Sequence, residues 1–380
     1  MERPISHGMR CLVYAALALS GMGCGKDSSN APAPEKPVAK APTPPAAKVA
    51  LPKKRVFAKP DKVRGIYLTA WSAGGRKKMD KMLALLDRTE LNALVIDIRD
   101  AGHVYVKTGI EEAVKSGAET VAIIKPEALM DRLEKAKVYP IARIACFRDV
   151  FVPKAYPERA VNLASGGVWK DGGGYTWLDP YNQKNWDYLA KIVDYALDLG
   201  FPEIQLDYVR FPSEGKATTQ VFPAKKYWKD TKDNKPQDVV AKFAQFIAKR
   251  VRARGAVISA DIFGIISSSK SDQGIGQELE MVAEPFDLVC PMVYPSHFAK
   301  GEYGIANPDL SPYAIIVKSL RDYAKRIPNK PLRPWLQDFS LGSTYGPAQV
   351  EAQIKAAREV GYNEYLLWNA KNVYSEEAVR

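Results

Sequence analysis

The 380-residue chain is poor in the residues that most often mark a site: it has four Cys and three His. Four thiols over this length exclude a disulfide-stapled scaffold. Three His, at His7, His103 and His297, are too few for a histidine-rich catalytic zinc site. An all-carboxylate magnesium or calcium site stays open at this point. No G-x-G-x-x-G follows the first strand-like run, and Ala73-Gly74-Gly75 is a poor substitute, which argues against a doubly wound dinucleotide fold. There is no G-x-S-x-G elbow, and Cys146 has no evident His partner. No apolar run approaches the roughly 20 residues that span a bilayer.

What is present suits a large folded domain. Hydrophobic residues make up 46% of the chain, which excludes a fully disordered one, and 12 Phe, 19 Tyr and 7 Trp can supply a sizeable core. The formal net charge is +12, but ten basic and three acidic side chains fall within residues 1–60. More than half of the excess therefore lies outside the expected domain. No zinc-finger, RRM or helix-turn-helix pattern accompanies it, so no nucleic-acid partner is expected.

The first segment reads as an address. Arg3 and Arg10 precede the apolar run Cys11–Leu19, which is followed by small residues and Cys24. That order makes a secretory signal. The stretch Leu19-Ser20-Gly21-Met22-Gly23-Cys24 resembles a bacterial lipoprotein signal, whose Cys is lipidated and becomes the mature N-terminus. The expectation is a signal over residues 1–24, with Cys24 lipidated. The protein would then be anchored to a membrane of the cell envelope and face periplasm or exterior; plain secretion is the alternative. Residues 25–62 are interleaved with Pro and should form a disordered, semi-rigid tether. Cys146 and Cys290 lie in apolar runs and are expected to be buried free thiols.

From Val63 onward short apolar runs alternate with amphipathic stretches. Strands are expected at 64–71, 93–99, 139–147, 203–211, 257–263, 288–294, 332–338 and 364–368. Helices are expected at 77–89, 126–136, 185–199, 237–254, 275–283, 312–326 and 347–360. Helix 237–254 shows the period clearly, with Val240, Phe243, Phe246, Ile247 and Val251 on one face. Eight strands with seven crossovers give an α/β fold, the (β/α)₈ TIM barrel, over residues 63–380. Long loops after the third, fourth and sixth strands should build its working face.

Acids recur at those strand ends: Asp97 and Asp100 on the second, Asp149 after the third, Asp207 on the fourth, Asp261 on the fifth and Asp338 on the seventh. A lone Asp in an apolar strand is costly unless paired. Any one of them could pair with Arg99, Arg143, Arg148, Arg210 or Arg333, but recurrence around one rim points to a site. Glycosidic cleavage needs two facing carboxyls, one to protonate the leaving oxygen and one to attack carbon or activate water. Period-two alternation puts Gln205 and Asp207 on one face of the fourth strand, and Ser259 and Asp261 on one face of the fifth. Trp and Tyr offer sugars a flat apolar face with a polar handle. Tyr67, Trp71, Tyr294, Trp335 and Trp368 crowd the same rim, with His297 and Asn369 beside them.

The blocks "RGIYLTAW", "NALVIDIRD", "YPIARIACFRD", "EIQLDYVRFPSEG", "ISADIFG", "PMVYPSHF", "RPWLQDFS" and "EYLLWNA", with others between them, stand in order from about residue 63 to 375. Together they resemble a bacterial family described as putative glycosyl hydrolase domains. The resemblance implies a barrel distantly similar to α-amylase-type glycosidases. In that comparison Asp207 matches the nucleophile and Asp338 the transition-state-stabilising Asp. Asp261 stands where those enzymes carry a Glu acid/base, and Gln205 where they carry an Arg.

The expectation is a glycoside hydrolase acting on a poly- or oligosaccharide, with Asp207 as nucleophile, Asp261 as acid/base and Asp338 as stabiliser. Tyr67, Trp71, Asp97, Asp100, Arg143, Arg210, Tyr294, His297, Trp335, Trp368 and Asn369 would shape the sugar site. No cofactor, metal or obligate protein partner is expected. The rival readings are a non-catalytic carbohydrate-binding lipoprotein on the same barrel and a metal-dependent hydrolase using the acids.

Overall fold

The computed structural model describes residues 55–228 and 234–380. The expected signal, Cys24 and the tether up to residue 54 lie outside the described residues. The folded body begins before residue 63. Arg55 is buried, donates to the Leu199 carbonyl at 3.1 Å and pairs with Asp131 at 3.0 Å.

Eight parallel strands form the barrel: β1 Arg64–Leu68, β2 Ala93–Asp100, β3 Tyr139–Ala145, β4 Glu203–Asp207, β5 Val257–Phe263, β6 Leu288–Met292, β7 Trp335–Gln337 and β8 Tyr365–Trp368, and a two-residue strand, His103–Val104, adds antiparallel to the end of β2. Each pairs with the next, and β8 returns to β1, which closes the barrel. The crossover helices are α1 Arg76–Asp87, α2 Pro126–Lys135, α3 Gln183–Asp198, α4 Pro236–Ala253, α5 Leu279–Ala283, α6 Pro312–Arg326 and α7 Pro347–Glu359. Pro opens α2, α4, α6 and α7, where its missing N–H costs nothing. Among the described residues no helix is long and apolar enough to cross a membrane.

Alternation along the strands builds two apolar layers. Ile66, Ile96, Ile204, Leu206 and Ile258 face the helices. Tyr67, Val95, Ile141, Cys290, Trp335 and Leu366 face the barrel interior. The N-terminal end of that interior is polar. Buried Arg333 pairs with Glu203 at 2.8 Å and with Glu364 at 2.9 Å, and Ser259 Oγ donates to Glu203 at 2.7 Å.

Five strands, β1, β3, β4, β6 and β7, stop earlier than their apolar runs. After β1, Thr69 caps a short helix, Ala70–Gly74, which takes Trp71. After β4, Tyr208 adopts φ +49°, which ends the extended backbone while the following residues stay buried. Helix α5 starts later than expected, because Ile275 is held in a loop where its carbonyl accepts from Phe211 N at 2.8 Å. The long loops after β3 and β4 meet in a two-stranded antiparallel ribbon, Asn162–Leu163 with Gln220–Val221. Cys146 and Cys290, the two cysteines among the described residues, are buried and free.

Candidate active site

Inward-facing positions at the C-terminal ends of β2 to β5 bring Asp97, Arg143, Asp207 and Asp261 into one cluster. Register explains the meeting. Asp97 pairs with Arg143 across β2 and β3, and Gln205 with Ser259 across β4 and β5. One repeat further along, Asp207 and Asp261 stand at the same height on neighbouring strands. All four residues are buried.

Arg143 is the hub. Its Nη1 donates to Asp97 Oδ1 at 2.6 Å and lies 3.5 Å from Asp100 Oδ1. Its Nε donates to Asp207 Oδ2 at 3.0 Å, and Nη2 donates to the same oxygen. Such a fork fixes a carboxylate in angle as well as distance. The other oxygen of Asp207 accepts from the Tyr208 amide at 2.6 Å, a contact made possible by the left-handed backbone at Tyr208. Tyr67 donates its hydroxyl to Asp97 Oδ2, so both oxygens of Asp97 are also engaged.

Asp261 is held differently. The Trp335 indole N–H donates to its Oδ1 at 2.6 Å, and it has no ion pair with Arg143. Burial, with the charge of Asp207 added to it, holds the Asp261 carboxyl well above the usual carboxylate range. Burial also pushes Asp97 up to about 7, with Asp100 adding to the rise and Arg143 opposing it. At Asp100 burial acts upward too, but Arg143, Arg148 and Arg99 outweigh it and pull the carboxyl below its ordinary value.

The aromatic wall lies against this cluster. Tyr67 and Trp368 stack at 3.9 Å, Trp335 meets Trp368 edge-on at 5.4 Å, and the Arg143 guanidinium lies 5.1 Å from the Trp368 ring. Tyr294 is buried, and burial together with the charges of Asp261 and Asp207 raises its hydroxyl well above 10. Trp71 is 61% exposed on its short helix.

Other expected residues serve the surroundings. Asp338 accepts from the Ser375 amide and hydroxyl, both at 2.8 Å, and no hydrogen bond joins it to the acid cluster among the described residues. It follows inward-facing Gln337, so alternation turns it away from Asp261. Asn369 donates to the Asp338 carbonyl and builds the same turn. Arg210 is buried against Phe263, Trp177 and Tyr208 and donates to its neighbour's carbonyl at 3.0 Å. His297 is exposed, 5.2 Å from the Tyr294 ring.

Sequence reasoning missed the C-terminal segment. Tyr374 and Asn372 both donate to the Tyr67 carbonyl, and Asn372 also accepts from Thr69, tying the chain end to β1 at the mouth. No periodicity marks that segment, so only the closed topology reveals it. Two surface clefts, of about 550 and 380 Å³, are lined by none of Asp97, Arg143, Asp207 and Asp261. Arg76, Asp80 and Arg132 line one, and Lys81, Arg88 and Glu376 the other. Among the described residues no group of three or more His, Cys, Asp or Glu is arranged to hold a metal ion.

Known proteins share the family and the fold. A family model described as "Putative glycosyl hydrolase domain" matches residues 65–374. A hypothetical protein from Ruminiclostridium thermocellum ATCC 27405 is 32% identical over 52% of this chain and 96% of its own, with a TM-score of 0.46. The PgaB (BpsB) glycoside hydrolase domain from Bordetella bronchiseptica is 15% identical, over 81% of this chain and 94% of its own, with a TM-score of 0.54. The catalytic domain of β-amylase from Paenibacillus polymyxa is 13% identical, over 85% of this chain and 96% of its own, with a TM-score of 0.50. The last two share the barrel fold with this chain. No curated protein matches it.

Proposed function

The chain belongs to the glycosyl hydrolase domain family whose model it matches, and from that premise we propose that it hydrolyses a glycosidic bond in an oligo- or polysaccharide, with Asp207 as nucleophile and Asp261 as acid/base. One observation carries the assignment. Two carboxyls stand at one height on neighbouring strands, one ion-paired with Arg143 and the other, bonded to the Trp335 indole, pushed up by burial and by the charge of its neighbour. An acid paired with a cation beside one that is buried without a cation suits the divided work of glycosidic cleavage.

Asp261 gives its proton to the glycosidic oxygen as the bond to the anomeric carbon breaks, and Asp207 attacks that carbon. Asp261, now a carboxylate, takes a proton from the water that releases the sugar. Neighbouring strands are about 4.8 Å apart. Side chains branching from them at one height suit the roughly 5–5.5 Å separation of retaining enzymes, not the wider gap of inverting ones. Tyr67, Trp368 and Trp335 supply the flat faces for the sugar ring. Asp97 and Asp100 position Arg143, and through it Asp207.

Residues 1–24 are read as a lipoprotein signal with Cys24 lipidated, which would hold the barrel at the cell envelope, where extracytoplasmic glycans are met. Mass spectrometry of the mature protein checks the lipid.

The test is turnover of an oligosaccharide panel by the wild type, Asp207→Asn and Asp261→Asn. Each variant should lose about 10²–10⁴-fold, and the first-formed product should keep its anomeric configuration. Unchanged turnover in folded variants would overturn the assignment.

A further inference from the structure

Buried arginines surround the barrel, and nearly all are consumed by the protein. Arg55, Arg99, Arg143, Arg159, Arg210 and Arg333 each donate hydrogen bonds to side-chain or backbone oxygens. Arg148 does not. Among the described residues its guanidinium makes no hydrogen bond, its Nε is buried without a partner, and its one counter-charge is Asp100 at 3.7 Å. Asp100 is itself shared, since Arg143 Nη1 lies 3.5 Å from the same oxygen.

Arg148 is nevertheless held firmly. Its guanidinium carbon sits 3.9 Å from the Tyr208 ring and 4.6 Å from the Tyr175 ring. Its backbone bridges to Trp177 in the loop after β3. Tyr208 directly follows Asp207, so the stack is anchored beside the candidate nucleophile. Aromatic faces fix the plane of a guanidinium and leave its N–H edge as the part that can bind. A fixed fork with free donors at the mouth of a barrel is suited to an oxyanion that offers two oxygens side by side. Arg148 and Arg143 are the two guanidiniums that stand among the carboxyls of Asp97, Asp100 and Asp207 at this mouth.

Resting on the glycosidase reading, we infer that Arg148 is a specificity residue for an acidic glycan, accepting the oxyanion group of a sugar bound next to the scissile bond. A uronate carboxylate and a sulfate ester share this chemistry, and the test separates them.

The experiment uses the full chain with oligosaccharides of one length in three forms: uronate-containing, sulfated and neutral. Binding is followed by calorimetry and hydrolysis by product analysis. The wild type should favour one acidic form over the neutral one by about tenfold or more, the size of effect expected of a charge-assisted hydrogen bond. Arg148→Lys keeps charge but loses the fork and should reduce that preference most for the uronate. Arg148→Gln should abolish it for both acidic forms. If Arg148 variants do not fold, Tyr175→Leu removes one face of the stack and should weaken the preference. Equal handling of acidic and neutral forms by the wild type, or a preference that survives Arg148→Gln, overturns the inference while leaving glycosidase activity intact. Acidic-glycan binding that depends on Arg148, with no hydrolysis of any form, overturns the glycosidase reading and leaves this one standing.

Discussion

The indole N–H of Trp335 donates to Oδ1 of Asp261 at 2.6 Å, inside the barrel and out of contact with bulk water. This bond favours the ionised carboxylate and so opposes the burial that pushes the Asp261 carboxyl up. Trp335→Phe keeps an aromatic ring but removes the donor. The Asp261 carboxyl should then rise further, and the alkaline limb of the pH–rate profile should move to higher pH. Turnover at the optimum should fall as well, because Asp261 loses the contact that fixes its angle. A limb that stays in place, measured as kcat/KM against pH, would remove Asp261 as the acid.

Arg143 should matter to stability as much as to chemistry. It is the shared counter-charge of Asp97 and Asp207, and all three are buried. Arg143→Leu leaves two carboxyls facing each other without a cation, a change that typically costs about 3–5 kcal/mol. The penalty should shrink as pH falls and the orphaned carboxyls take up protons. Arg143→Lys should recover part of the stability but little of the turnover, since an ammonium cannot hold Asp207 and Asp97 with separate edges. Urea unfolding at pH 5 and pH 8, beside assays of both variants, separates the two effects.

Asp97 gives stability a slope with pH. Its folded value is about 7, whereas an unfolded Asp titrates near 3.9. Between those values the folded chain holds a proton that the unfolded chain releases. The stability this supplies is complete below about pH 4 and is lost as pH rises toward 7. Asp179, also pushed up to about 7 by burial, acts in the same direction. The melting temperature should therefore fall between pH 5 and pH 8, and Asp97→Asn should flatten the fall. The difference attributable to Asp97 is at most on the order of 4 kcal/mol. An unchanged slope in the variant would mean that Asp97 does not carry the proton.

Much of this was legible in the sequence. β-branched and aromatic runs at regular spacing located all eight strands, since a barrel strand buried on both faces must be apolar along its length. Alternation placed Asp207 and Asp261 on inward faces, and the register of β4 with β5 puts them at one height. The partners of each acid were not legible. Arg143 is 64 residues from Asp207, and Trp335 is 74 from Asp261. The first pairing follows from the register of neighbouring strands and the second from the curvature of the barrel, and no local pattern encodes either. The ends of the strands were overextended for a related reason: residues such as Val209 and Phe211 stay buried beneath the loops after the backbone has left the sheet. Asp338 shows the limit of positional analogy, because its place after β7 fits a stabilising acid while Ser375 takes up its carboxylate.

The barrel floor supplies the contrast that separates folding from chemistry. Arg333 pairs with Glu203 at 2.8 Å, and neither side chain is exposed. Glu203, Gln205 and Asp207 alternate inward along β4, so the floor and the candidate nucleophile share one strand face with Gln205 between them. Arg333→Leu strands the Glu203 charge and should cost about 3–5 kcal/mol, much as Arg143→Leu does. Unlike Arg143, Arg333 makes no ion pair with an acid of the mouth. Its variant should therefore melt earlier yet keep the wild-type pH–rate profile at temperatures where it is folded. A displaced profile in Arg333→Leu would show that the floor tunes the acids through the barrel core, and would spread the candidate site over the whole interior of the barrel.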